Sequence, residues 1–130
     1  MRALRVWLAC AIAGCPGGPS QVSRGQEFEL GLAGTARIAG TRLSVRFEAV
    51  EQDSRCPIDV TCVWAGNALV RLRLEGAGCD TLLRLNTGLE PRAGAGCAIP
   101  LELRGLEPAP HSTESPAGRP YRVRLLVPAS

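Results

Sequence analysis

Lysine is absent: all 15 Lys+Arg residues are arginine, and they face 12 acids. Arginine 2 and arginine 5 fall in the first five residues, so residues 15–130 carry 13 arginines against the same 12 acids, a net charge near +1. The arginines are spread along the chain and not clustered, so the electrostatic footprint of a nucleic-acid binder is missing. Aromatics make up only 4% of the sequence, which leaves Leu, Val and Ile to build any core. There is one histidine, His111, in a breaker-rich segment without a neighbouring cysteine or paired base. No glycine-rich phosphate loop follows a strand and opens a helix. The chain also lacks an apolar run of the roughly 20 residues that a membrane-spanning helix needs. These absences argue against an enzyme, a cofactor and a nucleic-acid partner, and no zinc cluster survives if the cysteines are oxidised.

What is present begins with a leader. Met1 to Arg5 is a short positive segment and Val6 to Ala13 a short apolar one, the pattern of a signal peptide over residues 1–14. Two processing sites compete. Ala11-Ile12-Ala13 permits ordinary cleavage before Gly14, whereas Ile12-Ala13-Gly14-Cys15 resembles the lipobox of bacterial lipoproteins, in which Cys15 is acylated. Cysteine arithmetic favours the second. Cys10 leaves with the leader, and Cys56, Cys62, Cys79 and Cys97 form an even set, so Cys15 is an odd exported thiol unless lipid takes it. Residues 15–25, rich in Pro and Gly, then form a flexible tether holding the domain near a membrane. Position 16 is Pro and not Asp, which by resemblance to enterobacterial sorting points to the outer membrane.

From Glu27 on, apolar and polar residues alternate with a period of two, as in Leu43-Ser44-Val45-Arg46-Phe47 and Val70-Arg71-Leu72-Arg73-Leu74. Strand side chains point alternately to opposite faces, so each run has one apolar and one charged face. Six to seven short strands without a convincing helix predict an all-β domain over residues 26–130, an antiparallel sandwich or partly open barrel. The charged outer faces suit a monomer.

One stretch, residues 53–68, interrupts the alternation. Cys56 and Cys62 are close in an exported chain, so a disulfide is expected; Pro57 stiffens the ring. Trp64 beside Ala65-Gly66 is expected to cap the open end of the sandwich, with ligand stacking as the alternative. Asp53, Asp59 and Asn67 are expected to cap turns, although they could gather around calcium. Arg55 is expected to pair with one of the aspartates at the surface, and Asp53, Arg55, Asp59, Trp64 and Asn67 are the candidate binding residues.

The pattern Asp53-Ser54-Arg55-Cys56-Pro57-x-x-Val60-x-Cys62-Val63-Trp64-Ala65-Gly66-x-Ala68 resembles the signature of a family of small exported bacterial proteins, many of them lipoproteins of unknown function. The resemblance extends to Leu43 to Val50, Leu85-Asn86-Thr87-Gly88 and Leu106 to Pro110. It implies an envelope location, periplasmic or surface-facing, and no particular activity. Cys79 and Cys97 lie outside the signature and are expected to form a second disulfide, which requires the chain between residues 86 and 96 to fold back. The expected function is a non-catalytic envelope lipoprotein, structural or binding an unknown protein or small ligand. The alternatives are a protease inhibitor that presents Arg55-Cys56 as bait and an enzyme of unrecognised type.

Overall fold

The computed structural model describes residues 20–115 and 118–129. The expected leader at 1–14 and the expected lipidation site Cys15 lie outside the described residues. Nine strands follow in order: β1 Ser20–Val22, β2 Glu27–Gly31, β3 Thr35–Ile38, β4 Ser44–Asp53, β5 Ala68–Gly76, β6 Cys79–Asn86, β7 Ala93–Gly96, β8 Ile99–Glu107 and β9 Arg122–Leu126. They form a five-stranded sheet, β1-β3-β4-β5-β6, and a four-stranded sheet, β2-β9-β8-β7. Every pairing is antiparallel except β1 with β3. The architecture is a β-sandwich and not a closed barrel.

The alternation places the core. Val45, Phe47, Val70, Leu72 and Leu74 from the first sheet are fully buried, as are Leu101, Val123 and Leu125 from the second. Their polar neighbours along each strand face water. On the outer face of the first sheet the register sets Arg46 opposite Arg73 and Arg71 opposite Arg84. Like charges directly opposite are destabilising. The register shift between Phe47 and Ala49 relieves this by displacing Glu48, whose carboxylate accepts hydrogen bonds from both Arg71 and Arg73. Glu51 in turn accepts from Arg71 and Arg84.

Two strands exceed the expected six or seven. Ser20–Val22 falls within the segment expected to be tether, yet it pairs with β3 and buries Val22. Three residues are too few for alternation to register as a signal. β7, with the sequence Ala-Gly-Ala-Gly, lies in a stretch that composition marks as a break. It is an edge strand whose lack of side chains has a packing role. A Cβ on Gly96 would stand 3.0 Å from Leu74 Cδ1 and 3.1 Å from Thr81 Cγ2. Small residues thus let the edge of the second sheet close over the first.

The chain crosses between sheets after β6, so residues 87–92 carry it from Asn86 to β7. That crossing is the expected fold-back, and it brings Cys79 and Cys97 together as a disulfide with Cα atoms 5.8 Å apart. The bond joins the two sheets at the end carrying the β5–β6 turn. Loop-closure entropy for its 18-residue separation is worth about 3 kcal/mol. The Cys79→Ser/Cys97→Ser double variant is therefore expected to lower unfolding stability by about that amount, measured by urea denaturation.

Candidate functional site

The 53–67 corner connects β4 to β5 at the end of the sandwich opposite the Cys79–Cys97 bridge. Its neck is a short two-chain ladder. The Ser54 N–H donates to Asn67 O at 2.7 Å, and the Cys56 N–H donates to Ala65 O at 2.8 Å. The ladder needs a glycine at position 66. Gly66 has φ +79°, and a Cβ there would lie 2.0 Å from the Ser54 carbonyl oxygen. Beyond the neck, Cys56 and Cys62 form the expected disulfide.

Beneath the neck lies a buried charge cluster centred on Asp53, whose side chain is 3% exposed. Arg55 donates from Nε to Oδ1 at 2.8 Å and from Nη2 to Oδ2 at 2.7 Å, a two-pronged pair. The Tyr121 hydroxyl donates to Asp53 Oδ2 at 2.8 Å, and Arg119 Nη1 donates to the same oxygen at 3.1 Å. Arg55 also donates to the carbonyls of Leu106 and Pro108. Burial pushes the Asp53 carboxyl up, but the hydrogen bonds from Arg55 and Tyr121 outweigh it and hold it below the usual carboxylate value. Burial and the Asp53 charge together push the Tyr121 hydroxyl up.

Asn67 and Asn86, both buried, close the other side. Asn67 Nδ2 donates to Asn86 Oδ1 at 2.8 Å, while Asn67 Oδ1 accepts from the N–H groups of Gly88 and Leu89. The crossing segment is thereby fixed against the corner. Further out, Ile58 N–H donates to Pro110 O, and Asp59 accepts from both the hydroxyl and the N–H of Ser112. Those Ser112 bonds hold the Asp59 carboxyl below its usual value. A cleft of about 630 Å³ lies alongside, lined in part by Ile58, Pro108, Ala109, His111, Arg119 and Pro120.

Two expectations need correction. Trp64 does not cap the core: it is 53% exposed, and Val63 is fully exposed. The disulfide ring and the turn at Gly66 direct residues 58–64 away from the sheets, and the polar cluster of Asp53, Arg55, Arg119 and Tyr121 closes that end instead. Arg55 is not in an exposed pair. Its side chain is only 13% exposed and is committed to Asp53 and two carbonyls. Asp53, Asp59 and Asn67 do not converge on a cation, because each uses its oxygens on a different set of donors. Among the described residues no group of three or more His, Cys, Asp or Glu could hold a metal ion.

Sequence reasoning overlooked Arg119, Tyr121 and Asn86. The signals available were that Tyr121 is the single tyrosine and that Asn86 ends an apolar run within the 85–88 segment covered by the resemblance.

The roles of the corner's residues divide sharply. Removing one partner from a buried ion pair costs roughly 3–5 kcal/mol, because the other charge is left unpaired. Arg55→Ala and Asp53→Ala are expected to fall in that range, whereas Trp64→Ala is expected to change stability by less than about 1 kcal/mol, measured by urea denaturation. Acid should act through Asp53. Its folded pKa is depressed, so its stabilisation is full above the ordinary value near 3.8 and is lost as pH falls from there through the folded value. The urea midpoint is expected to drop as pH falls below about 4, and Asp53→Asn should flatten that part of the profile. No family model matches the chain, and searches among curated proteins and solved structures gave no match.

Proposed function

We propose that this protein is a non-catalytic lipoprotein of the bacterial envelope, held on a membrane through Cys15, with the outer part of the 53–67 corner as its contact surface. The observation that carries the reading is the exposure of Ile58, Val60, Val63 and Trp64 on a loop that a disulfide and a buried ion cluster hold rigid. A preorganised loop loses little ordering entropy on binding, and exposed apolar groups gathered at one place mark interaction sites. Two disulfides in a small β protein are compatible with an exported, oxidising location. The lipobox-like Ile12-Ala13-Gly14-Cys15 supports the finer placement at the outer membrane or elsewhere in the envelope, and the 53–68 signature supports membership of the exported lipoprotein family that it resembles.

The reading takes the domain as a monomer that binds neither nucleic acid nor a cofactor. Its paired surface charges and the exposed position of His111 support that view. The inhibitor alternative is disfavoured, because an Arg55 side chain committed to Asp53, Leu106 O and Pro108 O is unsuited to entering a protease pocket.

Fractionation of cells that express the protein tests the anchor. The wild type is expected in the membrane fraction with an acyl modification on Cys15, and Cys15→Ser is expected in the soluble fraction. A wild type that is soluble and begins at Gly14 would overturn the proposal.

A further inference from the structure

Seven large hydrophobics are exposed among the described residues, and five of them, Ile58, Val60, Val63, Trp64 and Leu89, belong to the 53–67 corner or to the crossing segment fixed against it. Nothing else on the surface matches this concentration. The direction of β1 relates that end to the start of the chain. β1 is parallel to β3 and pairs Ser20 with Ala36, which pairs with Val45 on β4. Moving backward from Ser20 is therefore moving along β4 from Val45 toward Asp53. β1 thus points its N-terminal end toward the end that carries the exposed apolar loop, while Ser20 itself stands near the opposite end, level with Val45 and Leu74.

Distances make this consequential. Val45 pairs with Leu74 and Asp53 with Ala68, so the level of Asp53 lies six β5 residues beyond the level of Ser20. At about 3.4 Å per residue that is roughly 20 Å. Cys15 stands five positions before Ser20. A chain of five residues spans at most about 18 Å. The tether expected from composition at residues 15–25 would allow the domain to stand off from a membrane, but β1 takes up part of it. With Cys15 at a bilayer surface, Ser20 stands no further from that surface than the loop end stands from Ser20. When the sandwich stands with its corner end toward the bilayer, the span from Cys15 to Ser20 is too short to hold the apolar corner off the surface.

We infer that the partner of the corner is the lipid surface itself: Val63 and Trp64, with Ile58, Val60 and Leu89 around them, insert into the interfacial layer of the membrane that holds Cys15. The inference rests on the lipid anchor proposed above. Tryptophan suits that layer, where its ring meets apolar matter and its N–H stays wet. Charge has no part in the attraction. Asp59 and Glu114 are exposed near this end, and Arg55 is buried in its pair with Asp53. Insertion is therefore expected into zwitterionic lipid and with little sensitivity to salt.

Trp64 is the only tryptophan in residues 15–130, so its fluorescence reports on the loop alone. The test uses processed protein purified from membranes and reconstituted on phosphatidylcholine vesicles, with mass spectrometry reading the acyl group. The expected result is blue-shifted Trp64 emission that is quenched by lipids brominated in the upper acyl chain and unchanged by added salt. Val63→Asp, at a fully exposed position, should keep the protein on the vesicles and reduce that quenching several-fold. Acylated protein that floats with vesicles but keeps water-like, unquenched emission overturns the inference while the anchor stands; the loop would then be free for a protein partner. Protein without an acyl group and with Gly14 at its N-terminus overturns both.

Discussion

The Asp53 carboxylate is the point at which the two sheets and the corner loop are joined. It stands at the last residue of β4, in the first sheet. Tyr121 and Arg119, which precede β9 of the second sheet, reach across to it. Arg55, two residues on, binds it and also binds the carbonyls at the end of β8 and beyond. One acid thus meets two guanidinium groups in a site nearly closed to water. A charge there costs free energy unless it is paired and hydrogen-bonded, and here each oxygen of Asp53 has a donor. With Asp53 held, the neck of the corner has a fixed origin, and Gly66 and the Cys56–Cys62 bridge determine where the chain goes from it. At the far end the Cys79–Cys97 bridge joins the same two sheets by a covalent bond. The sandwich is therefore fastened at both ends, ionically at one and covalently at the other.

The legible part of the fold was the part written in side-chain periodicity. Alternation located β2, β4, β5, β6, β8 and β9, since each has an apolar face that must be buried and the period of two says which residues form it; β3 was expected only as an added short strand before the turn at Ala39-Gly40. β1 and β7 were illegible for different reasons. Ser20–Val22 is too short for a period, and Ala93–Gly96 has no side chains large enough to show one. Both are edge strands, added to sheets whose central strands already supply most of the core, so their own sequences need specify little. The pairing of Cys79 with Cys97 could be expected, but not its geometry, because the bridge depends on a crossing between sheets that no local pattern encodes.

At the corner, local chemistry was legible and long-range chemistry was not. The disulfide, the need for a small residue at position 66 and the Arg55–Asp53 pair all follow from residues close in sequence. The burial of that pair does not, since it depends on Arg119 and Tyr121, more than 60 positions away. Without them Arg55 and Asp53 would form an ordinary surface pair worth little. The same missing partners explain the misplaced tryptophan. An indole is a natural lid for an open sandwich end, but that end is already sealed by the ion cluster and the Asn67–Asn86 pair, leaving Trp64 no apolar space to enter.

A loop could expose Val63 and Trp64 merely because it is floppy and has nowhere to bury them. This loop is not of that kind. Its neck is paired backbone to backbone, its ring is closed by sulfur, and its outer part is bonded to Pro110 and Ser112 on the neighbouring segment. Each of these restraints reduces the freedom to fold the apolar side chains inward. Rigid exposure of this sort is unfavourable in water, and the residues that enforce it are distinct from those that are exposed. Asp53, Arg55, Gly66 and Asn67 carry the architecture, whereas Ile58, Val60, Val63 and Trp64 contribute little to it. The outer residues can therefore vary with what the surface meets, while the inner ones cannot change without loss of the domain.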